Sequence, residues 1–231
     1  DRLFGPDTAG EIWRTTSELL ARDDFSACSI IRRMNVRVMC TTDDPVDTLE
    51  HHASIRARRD GFVVVPTFRP DKALDFDDPK GWNAYREKLA AAAGVRIDSF
   101  EAFVAALDRR HEFFHGMGAR ATDHALVFPF AEEATRDDVE KMFVRLSKGE
   151  ALSQREVLQL KTAALCEVGR MNSRRGWVMQ LHMCAQRNNN TRQFGLHGPE
   201  SGYNSMGDTP VAAPLARLLD LLDRTDELPK T

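Results

Sequence analysis

The sequence predicts an α/β fold in which four apolar strands alternate with amphipathic helices. Strands separated by helices pair in parallel, and continuous apolar runs such as residues 62–65 predict burial on both faces of the sheet. Each predicted strand also ends in polar side chains, as in a (β/α)₈ barrel, whose sites lie at the carboxyl ends of the strands. Four strands cannot close a barrel of eight, so the chain is either an open, doubly wound sheet or the middle of a larger barrel.

The composition is that of a globular protein without features for binding nucleic acid or membranes. Of 231 residues, 42% are hydrophobic, and the 32 basic and 35 acidic residues give a net charge of −3. No apolar run approaches the ~18 residues of a membrane span. The four cysteines form no Cys-x-x-Cys pair, which favours reduced thiols in a cytoplasmic protein. No secretory signal is visible, although a chain that begins without Met is either processed or an excerpt.

The first half of the chain contains two predicted strands and five predicted helices. Apolar spacing predicts helices at 12–20, 25–34, 79–93 and 99–115, and strands at 36–40 and 62–66. Asp44 and Pro45 are typical of a helix N-cap and a first-turn proline, so the following helix would carry His51 and His52. The second and third predicted strands are connected by two helices, where a single crossover helix is usual. We therefore expect an inserted helical region at 75–119, between barrel segments 1–74 and 120–231.

The second half repeats the alternation. It contains predicted strands at 120–128 and 177–184, and helices at 135–146, 153–173 and 211–222. Ser153 and Glu156 have the spacing of a capping box. A long Gly/Asn-rich loop is expected between the fourth strand and Asp208.

The fourth strand gives the strongest indication of a site. With a period of two, one face carries Trp177, Met179, Leu181 and Met183, and the other carries Val178, Gln180, His182 and Cys184. The first face suits a helix layer, whereas the second presents hydrogen-bonding groups. Because Arg187-Asn188-Asn189-Asn190 follows directly, this strand end is predicted to hold a polar ligand.

Several motifs together are more specific than any one of them. They are Cys40-Thr41-Thr42-Asp43-Asp44-Pro45, Phe68-Arg69-Pro70-Asp71-Lys72, Asp123-His124, Met179-Gln180-Leu181-His182 with Arg187-Asn188-Asn189-Asn190, and Gly198-Pro199 through Gly202 to Gly207-Asp208. In this order they resemble the uronate isomerases (glucuronate isomerases) of the amidohydrolase superfamily, over nearly the whole chain. The resemblance implies a segment of a (β/α)₈ TIM-like barrel with an inserted helical subdomain.

The sequence also departs from the family pattern. Met183-Cys184 and Glu200, Tyr203 and Asn204 stand where the family has other residues. The family places a His-x-His pair after its first barrel strand and an Asp after its last, and these hold a divalent metal. No His-x-His occurs in this sequence. The resemblance therefore implies a segment of a longer enzyme, whose first and last barrel strands and metal ligands lie outside this chain, with zinc as the expected metal.

The activity implied by the resemblance is isomerisation of a hexuronate, D-glucuronate to D-fructuronate or D-galacturonate to D-tagaturonate. A proton leaves C2 and returns at C1 through an enediol, which calls for a base, an acid and a group that stabilises the oxyanion. The alternative is another metal-dependent amidohydrolase that acts by hydrolysis on the same barrel, and a non-enzymatic helical scaffold is a more distant one. The partner is a small-molecule hexuronate, and a homo-oligomer is left open.

Catalytic and binding roles follow for residues at the strand ends. Arg69 is the expected anchor of the substrate carboxylate, because a guanidinium grips carboxylate in two-pronged fashion; the alternative is a structural pair with Asp71. His182 is expected to donate to a substrate oxygen, unless it is a core histidine. Asp123 and His124 are catalytic candidates, but adjacent strand residues face opposite ways, so only one of them is expected in the site.

Four further candidates are weaker. Arg187 and Asn188 are expected either to bind substrate or to brace the long loop. Thr42 and Asp43 are substrate-binding candidates for which a loop-and-cap role is an equal explanation.

A rival motif lies in the second of the paired helices. His111-Glu112-Phe113-Phe114-His115 matches the zincin pattern, in which two histidines one helical turn apart bind zinc and the glutamate is the general base. The third histidine of the longer metzincin form would fall at Ala121, where it is missing. A peptidase is therefore disfavoured, and these histidines are expected at the surface or in a capping role.

Overall fold

The computed structural model describes residues 2–231 and confirms the alternation of strands and helices. The helices are α1 Pro6–Leu20, α2 Ala27–Arg33, α3 Glu50–Arg58, α4 Pro79–Ala93, α5 Phe100–Gly116, α6 Arg136–Ser147, α7 Gln154–Arg175, α8 Thr191–His197 and α9 Ala212–Asp223. The strands are β1 Val38–Asp43, β2 Val63–Phe68, β3 Ala121–Leu126, β4 Val178–Met183, β5 Ala185–Gln186 and β6 Ser205–Met206. Short 3₁₀ helices occupy Asp23–Phe25 and Asp71–Leu74.

The chain divides into two compact units. The first comprises the chain up to Thr41 together with Leu49–Val65, and so contains α1, α2 and α3. The second comprises Thr42–Thr48 and Pro66–Thr231. All candidate site residues, from Thr42 to Asn188, lie in the second unit.

The main sheet has four strands in the order β1-β2-β3-β4. Strands β2 and β3 pair in parallel with Phe68 opposite Thr122, and β3 and β4 pair in parallel from Ala121 opposite Val178 to Leu126 opposite Met183. The order follows the chain without reversal. Doubly wound sheets reverse their order at a switch point, so this winding is that of a barrel segment.

The core of the second unit lies between the sheet and its helices. Helix α7 packs against α5, α6, α9 and β4, and α4 packs against α5 and α6. Phe68, Trp82, Phe103, Phe143 and Trp177 are almost fully buried there. The predicted Ser153–Glu156 capping box is present at the start of α7. Helix α4 has the predicted bounds, 79–93.

The predicted helix start at Asp44 and Pro45 is wrong. Helix α3 begins five residues later, at Glu50, and still carries both His51 and His52. The Asp44 side chain has near and distant partners: Oδ1 accepts the backbone N–H of Val46 at 3.1 Å and the hydroxyl of Tyr85 at 2.6 Å, and Oδ2 lies 3.1 Å from Nζ of Lys72. Asp44 therefore closes a short turn and ties it to α4 instead of capping a helix.

Two further predictions need correction. The loop before Asp208 is partly ordered into α8 and the antiparallel pair β5–β6. The Asn190 side chain caps α8 by accepting the N–H of Gln193 at 3.0 Å. Burial of residues 62–65 on both faces is also wrong, because Val63 is 53% exposed while Val64 is buried. Among residues 2–231, no helix is both long and apolar enough to cross a membrane.

Candidate active site

Three predicted residues on adjacent strands of the sheet meet at one place. Asp123 of β3 lies between Arg69, which follows β2, and His182 of β4. Its Oδ2 is 3.3 Å from a terminal nitrogen of Arg69, and its Oδ1 is 2.5 Å from Nδ1 of His182. The site therefore joins a carboxylate, a guanidinium and an imidazole.

The register of the sheet explains this meeting. His182 stands opposite Ala125, and Asp123 stands two residues earlier on the same face of β3. Because Ala125 carries only a methyl group, the imidazole can lean back over it to the carboxylate. The backbone N–H of Arg69 donates to the carbonyl of Asp43 at 2.9 Å, which holds the end of β2 against β1.

Asp71 fixes Arg69 from the other side. Nε of Arg69 donates to Oδ2 of Asp71 at 2.8 Å, and the backbone N–H of Ala125 lies 3.2 Å from Oδ1 of the same carboxylate. The pair that the sequence offered as a structural alternative is thus present. It does not exclude ligand binding, because the Arg69 side chain remains 31% exposed. The hydrogen bond to Asp71, with the charge of Asp123 as a smaller contribution, raises the pKa of Arg69, so its charge is permanent.

Asp123 is the buried member of the site. The residue is 1% exposed, and neither carboxylate oxygen makes a well-aligned hydrogen bond, although both lie at ion-pair distance from a cationic side chain. His182 is the open member, with 58% of its side chain exposed. A buried anion behind an exposed imidazole orients the ring and leaves its far edge for a ligand.

An open groove of about 570 Å³ lies over these groups. Its lining includes Arg69, Ala125, His182, Gln186, Arg187 and Asn189. A larger cavity of about 770 Å³ opens between α5, α6, α7 and α9, but none of Arg69, Asp123 and His182 lines it. The smaller groove is the candidate ligand site, because it combines fixed positive charge with a proton-transfer group.

His124 lies on the other face of β3. It is 1% exposed, and its Nε2 is 2.8 Å from the hydroxyl of Thr122. Burial, followed by the charge of Arg69, lowers the pKa of His124 to about 3, so the ring is neutral. As expected for adjacent strand residues, only Asp123 of the pair reaches the site.

The four weaker candidates are not part of this cluster. Arg187 forms an ion pair with Glu200, with NH1 2.8 Å from Oε1. Asn188, with a φ of 57°, accepts the N–H of Glu200 and donates its own N–H to Asn204, so both residues brace the loop. Arg187 nevertheless lines the groove. Thr42 is exposed, and Asp43 reaches Arg69 through its backbone carbonyl.

The His-Glu-x-x-His residues have structural partners. His111 is fully buried, which corrects the expected surface position, and Nε2 contacts Oδ1 of Asn172 at 2.9 Å. His115 accepts the indole N–H of Trp177 through Nδ1, and Glu112 pairs with Arg175. Metal-binding histidines need their ring nitrogens, and here each histidine uses one of them to hold a protein side chain.

Two residues near the site were not singled out by the sequence. Thr122 precedes Asp123 but resembles any strand threonine, and Asn172 lies on α7, fifty residues away, with no motif around it. Within residues 2–231, no group of three or more His, Cys, Asp and Glu side chains is arranged to hold a metal ion. The residues described do not form the metal site that the resemblance implies.

Comparisons with known proteins identify the family of this chain. The family model described as glucuronate isomerase matches residues 1–231. Uronate isomerases of Salmonella arizonae and Caldanaerobacter subterraneus are 46% and 41% identical to this chain, over 100% and 99% of its length. In each case the match covers 49% of the relative, so the chain spans about half the length of the curated relatives it matches.

Solved structures give the same result. The crystal structure of the uronate isomerase from Thermotoga maritima matches with a TM-score of 0.87 and 33% identity, over 96% of this chain and 49% of that one. Glucuronate isomerase from Caulobacter crescentus matches with a TM-score of 0.84 and 27% identity, over 96% and 46%. The chain belongs to the glucuronate isomerase family.

Proposed function

We propose that this chain carries part of the active site of a hexuronate isomerase, which interconverts D-glucuronate with D-fructuronate and D-galacturonate with D-tagaturonate. The single observation that carries the proposal is the meeting of Arg69, Asp123 and His182 beside one groove, in a chain of this family. Aldose and ketose differ only in the position of two hydrogens, so the site must move protons without consuming water. Because both sugars are acids, the site must also bind a carboxylate.

Arg69 suits the carboxylate at C6 of the substrate. Nε of Arg69 donates to Asp71. The side chain is partly exposed and lines the groove. Charge-assisted hydrogen bonds from Arg to carboxylate are among the stronger polar contacts in proteins. This contact would fix the acid end of the sugar and direct C1 and C2 away from Arg69.

His182 suits the proton-transfer end. The carboxylate of Asp123 faces Nδ1, so it favours the tautomer with a proton there and stabilises the ring when it becomes charged. The other ring nitrogen can then exchange a proton with an oxygen of the substrate. The neutral ring would take a proton from a substrate hydroxyl at Nε2, and the resulting charged ring would donate that proton to the C1 or C2 oxygen, which stabilises the enediol.

We further propose that the sheet continues into a closed eight-stranded barrel. Lys230 pairs in parallel with Val178, and its carbonyl accepts the N–H of Met179 at 2.7 Å, which is the position of a fifth strand beside β4. The expected divalent metal, with zinc as the candidate, would take its ligands from outside residues 2–231. The roles given to Arg69, Asp123 and His182 do not depend on it.

Proton NMR of the reaction mixture tests the function. Purified protein encoded by the complete gene is incubated with D-glucuronate or D-galacturonate, and the ketose signals and the total solute mass are followed. We expect conversion to an equilibrium mixture of aldose and ketose of equal mass. A product that has gained water would support hydrolysis, and no conversion of either acid would contradict the proposal.

A further inference from the structure

A buried polar network lies behind β3, on the face opposite Asp123. At its centre is Asn172 of α7, whose Oδ1 is 2.9 Å from Nε2 of His111 and whose Nδ2 donates to the hydroxyl of Thr122 at 2.7 Å. Nε2 of His124 lies 2.8 Å from the same hydroxyl. All four side chains are at most 1% exposed. Three elements, α5, α7 and β3, are thus joined by hydrogen bonds inside the core.

The groups available fix the direction of two of these three hydrogen bonds. An amide oxygen can only accept, so Nε2 of His111 carries a proton. The hydroxyl of Thr122 accepts from Nδ2 of Asn172 and forms a second hydrogen bond with Nε2 of His124. Burial lowers the pKa of His111 to about 4 and that of His124 to about 3. Both rings therefore stay neutral near pH 7.

Helix α5 also touches the strands on either side of β3. The ring of His111 is edge-on to Phe68 with centroids 5.4 Å apart, and it stacks on Trp177 at 3.7 Å. Phe68 directly precedes Arg69, and Trp177 directly precedes β4, which carries His182. The network therefore contacts β2, β3 and the residue that leads into β4.

We infer that Asn172 is a positioning residue, which acts through Thr122 to fix the point on β3 from which Asp123 meets Arg69 and His182. The catalytic part of this inference rests on the proposed function. Neighbouring strand residues share a backbone, so a displacement of Thr122 moves Asp123 with it. The Asp123 carboxylate makes no well-aligned hydrogen bond of its own. Its position is set by the strand more than by its partners.

Stability alone does not account for the network. Replacing buried hydrogen-bonded groups by apolar groups of the same shape is often nearly neutral for folding. A satisfied polar network instead selects one arrangement of the elements that it joins. Placement matters at this site, because a misplacement of about 1 Å can lower a rate by roughly 100-fold.

The test compares two threonine-to-valine substitutions in the complete protein. Thr122→Val keeps the shape of the side chain but removes the hydroxyl that Asn172 and His124 use. Thr162→Val is the matched control: Thr162 is 3% exposed on α7, and its hydroxyl donates to the carbonyl of Leu158 and accepts the N–H of Glu132. Thr122→Ser restores a hydroxyl at the original position.

Each variant is assayed for kcat and KM on D-glucuronate, and its crystal structure gives the distance from Asp123 Oδ1 to His182 Nδ1. We expect Thr122→Val to lengthen this distance and to lower kcat by about 10- to 100-fold. Thr122→Ser should return both to within a few-fold of wild type, while Thr162→Val should leave both unchanged. If Thr122→Val does not fold, Thr122→Cys replaces it, with an intermediate loss expected.

Two results would overturn the inference. One is an unchanged distance and kcat in Thr122→Val, and the other is an equal loss of kcat in Thr162→Val. Failure of the proposed function is recognised separately, as absence of hexuronate turnover in the wild type. In that case the distances in the variant structures decide the inference without any activity.

Discussion

Replacing Arg69 should lower kcat/KM for an acidic sugar and leave the turnover of the corresponding neutral sugar nearly unchanged. Truncating one partner of a buried charge pair costs roughly 2–5 kcal/mol. The Arg69 side chain is 31% exposed and shares its charge with Asp71 and Asp123, so we expect the lower half of that range for Arg69→Met. A loss of about 2–3 kcal/mol corresponds to roughly 30- to 150-fold in kcat/KM. Arg69→Lys should recover only part, because one ammonium cannot hold Asp71 and the substrate carboxylate together.

Steady-state assays on D-glucuronate and on the corresponding neutral hexose provide the measurement. The neutral sugar lacks the carboxylate, so its poor turnover should barely respond to either substitution. Arg136→Met, at an exposed arginine paired with Glu101, is the control for loss of an ion pair and should change neither substrate. Equal losses on both substrates, with the fold intact, would show that Arg69 serves the strand end and not the carboxylate.

Three further predictions concern the rest of the chain. Glu112→Gln should leave the isomerase rate within a few-fold of wild type, whereas loss of a zincin general base typically costs ~10²–10⁴-fold. Gly169→Ala should lower the free energy of unfolding, because a Cβ there would lie 2.6 Å from Cδ1 of the fully buried Leu222 and overpacking costs about 1–3 kcal/mol. NMR titration should give a pKa of about 4 for His111 and about 3 for His124. Both values lie below the unfolded pKa of about 6.5, so the unfolded state binds more protons between about pH 6.5 and pH 3. The free energy of unfolding should therefore fall as pH decreases through that range.

Each of these has a control or a contradicting result. A rate loss of a hundred-fold in a folded Glu112→Gln protein would revive the peptidase hypothesis. Gly116→Ala is the control for Gly169→Ala, because a Cβ at Gly116 meets no atom within 4 Å and should not destabilise the protein. If the two buried histidines titrate near pH 6.5, burial does not hold their rings neutral, which would contradict this prediction.

The strand ends were predictable because their signals are local. Arg69 and His182 lie at or near the end of an apolar strand, and parallel strands bring such ends to one edge of a sheet, whereas Asp123 is the third residue of β3. The sequence also predicted that only one of Asp123 and His124 enters the site, since alternation along a strand is strict. No local rule gives the contact between His182 and Asp123, because it depends on the register of β3 and β4 and on the small side chain of Ala125.

The errors arose where distant residues compete with local patterns. Asp44 has the sequence of a helix cap but bonds to Tyr85, forty-one residues away. His111 lies in a familiar metal motif but bonds to Asn172, sixty-one residues away. Val63 belongs to an apolar run that predicts burial, yet such a run does not say which element covers it. Tertiary contacts decided each case, and one sequence does not show them.

The most direct test of the account is a crystal structure with an unreactive substrate analogue. A hexuronate reduced to the alcohol at C1 keeps the carboxylate and cannot isomerise. The account predicts that its C6 carboxylate lies within hydrogen-bond distance of the Arg69 guanidinium and that its C1 and C2 oxygens lie beside His182. An analogue bound with its carboxylate away from Arg69, or in the cavity between α5, α6, α7 and α9, would contradict the proposed site.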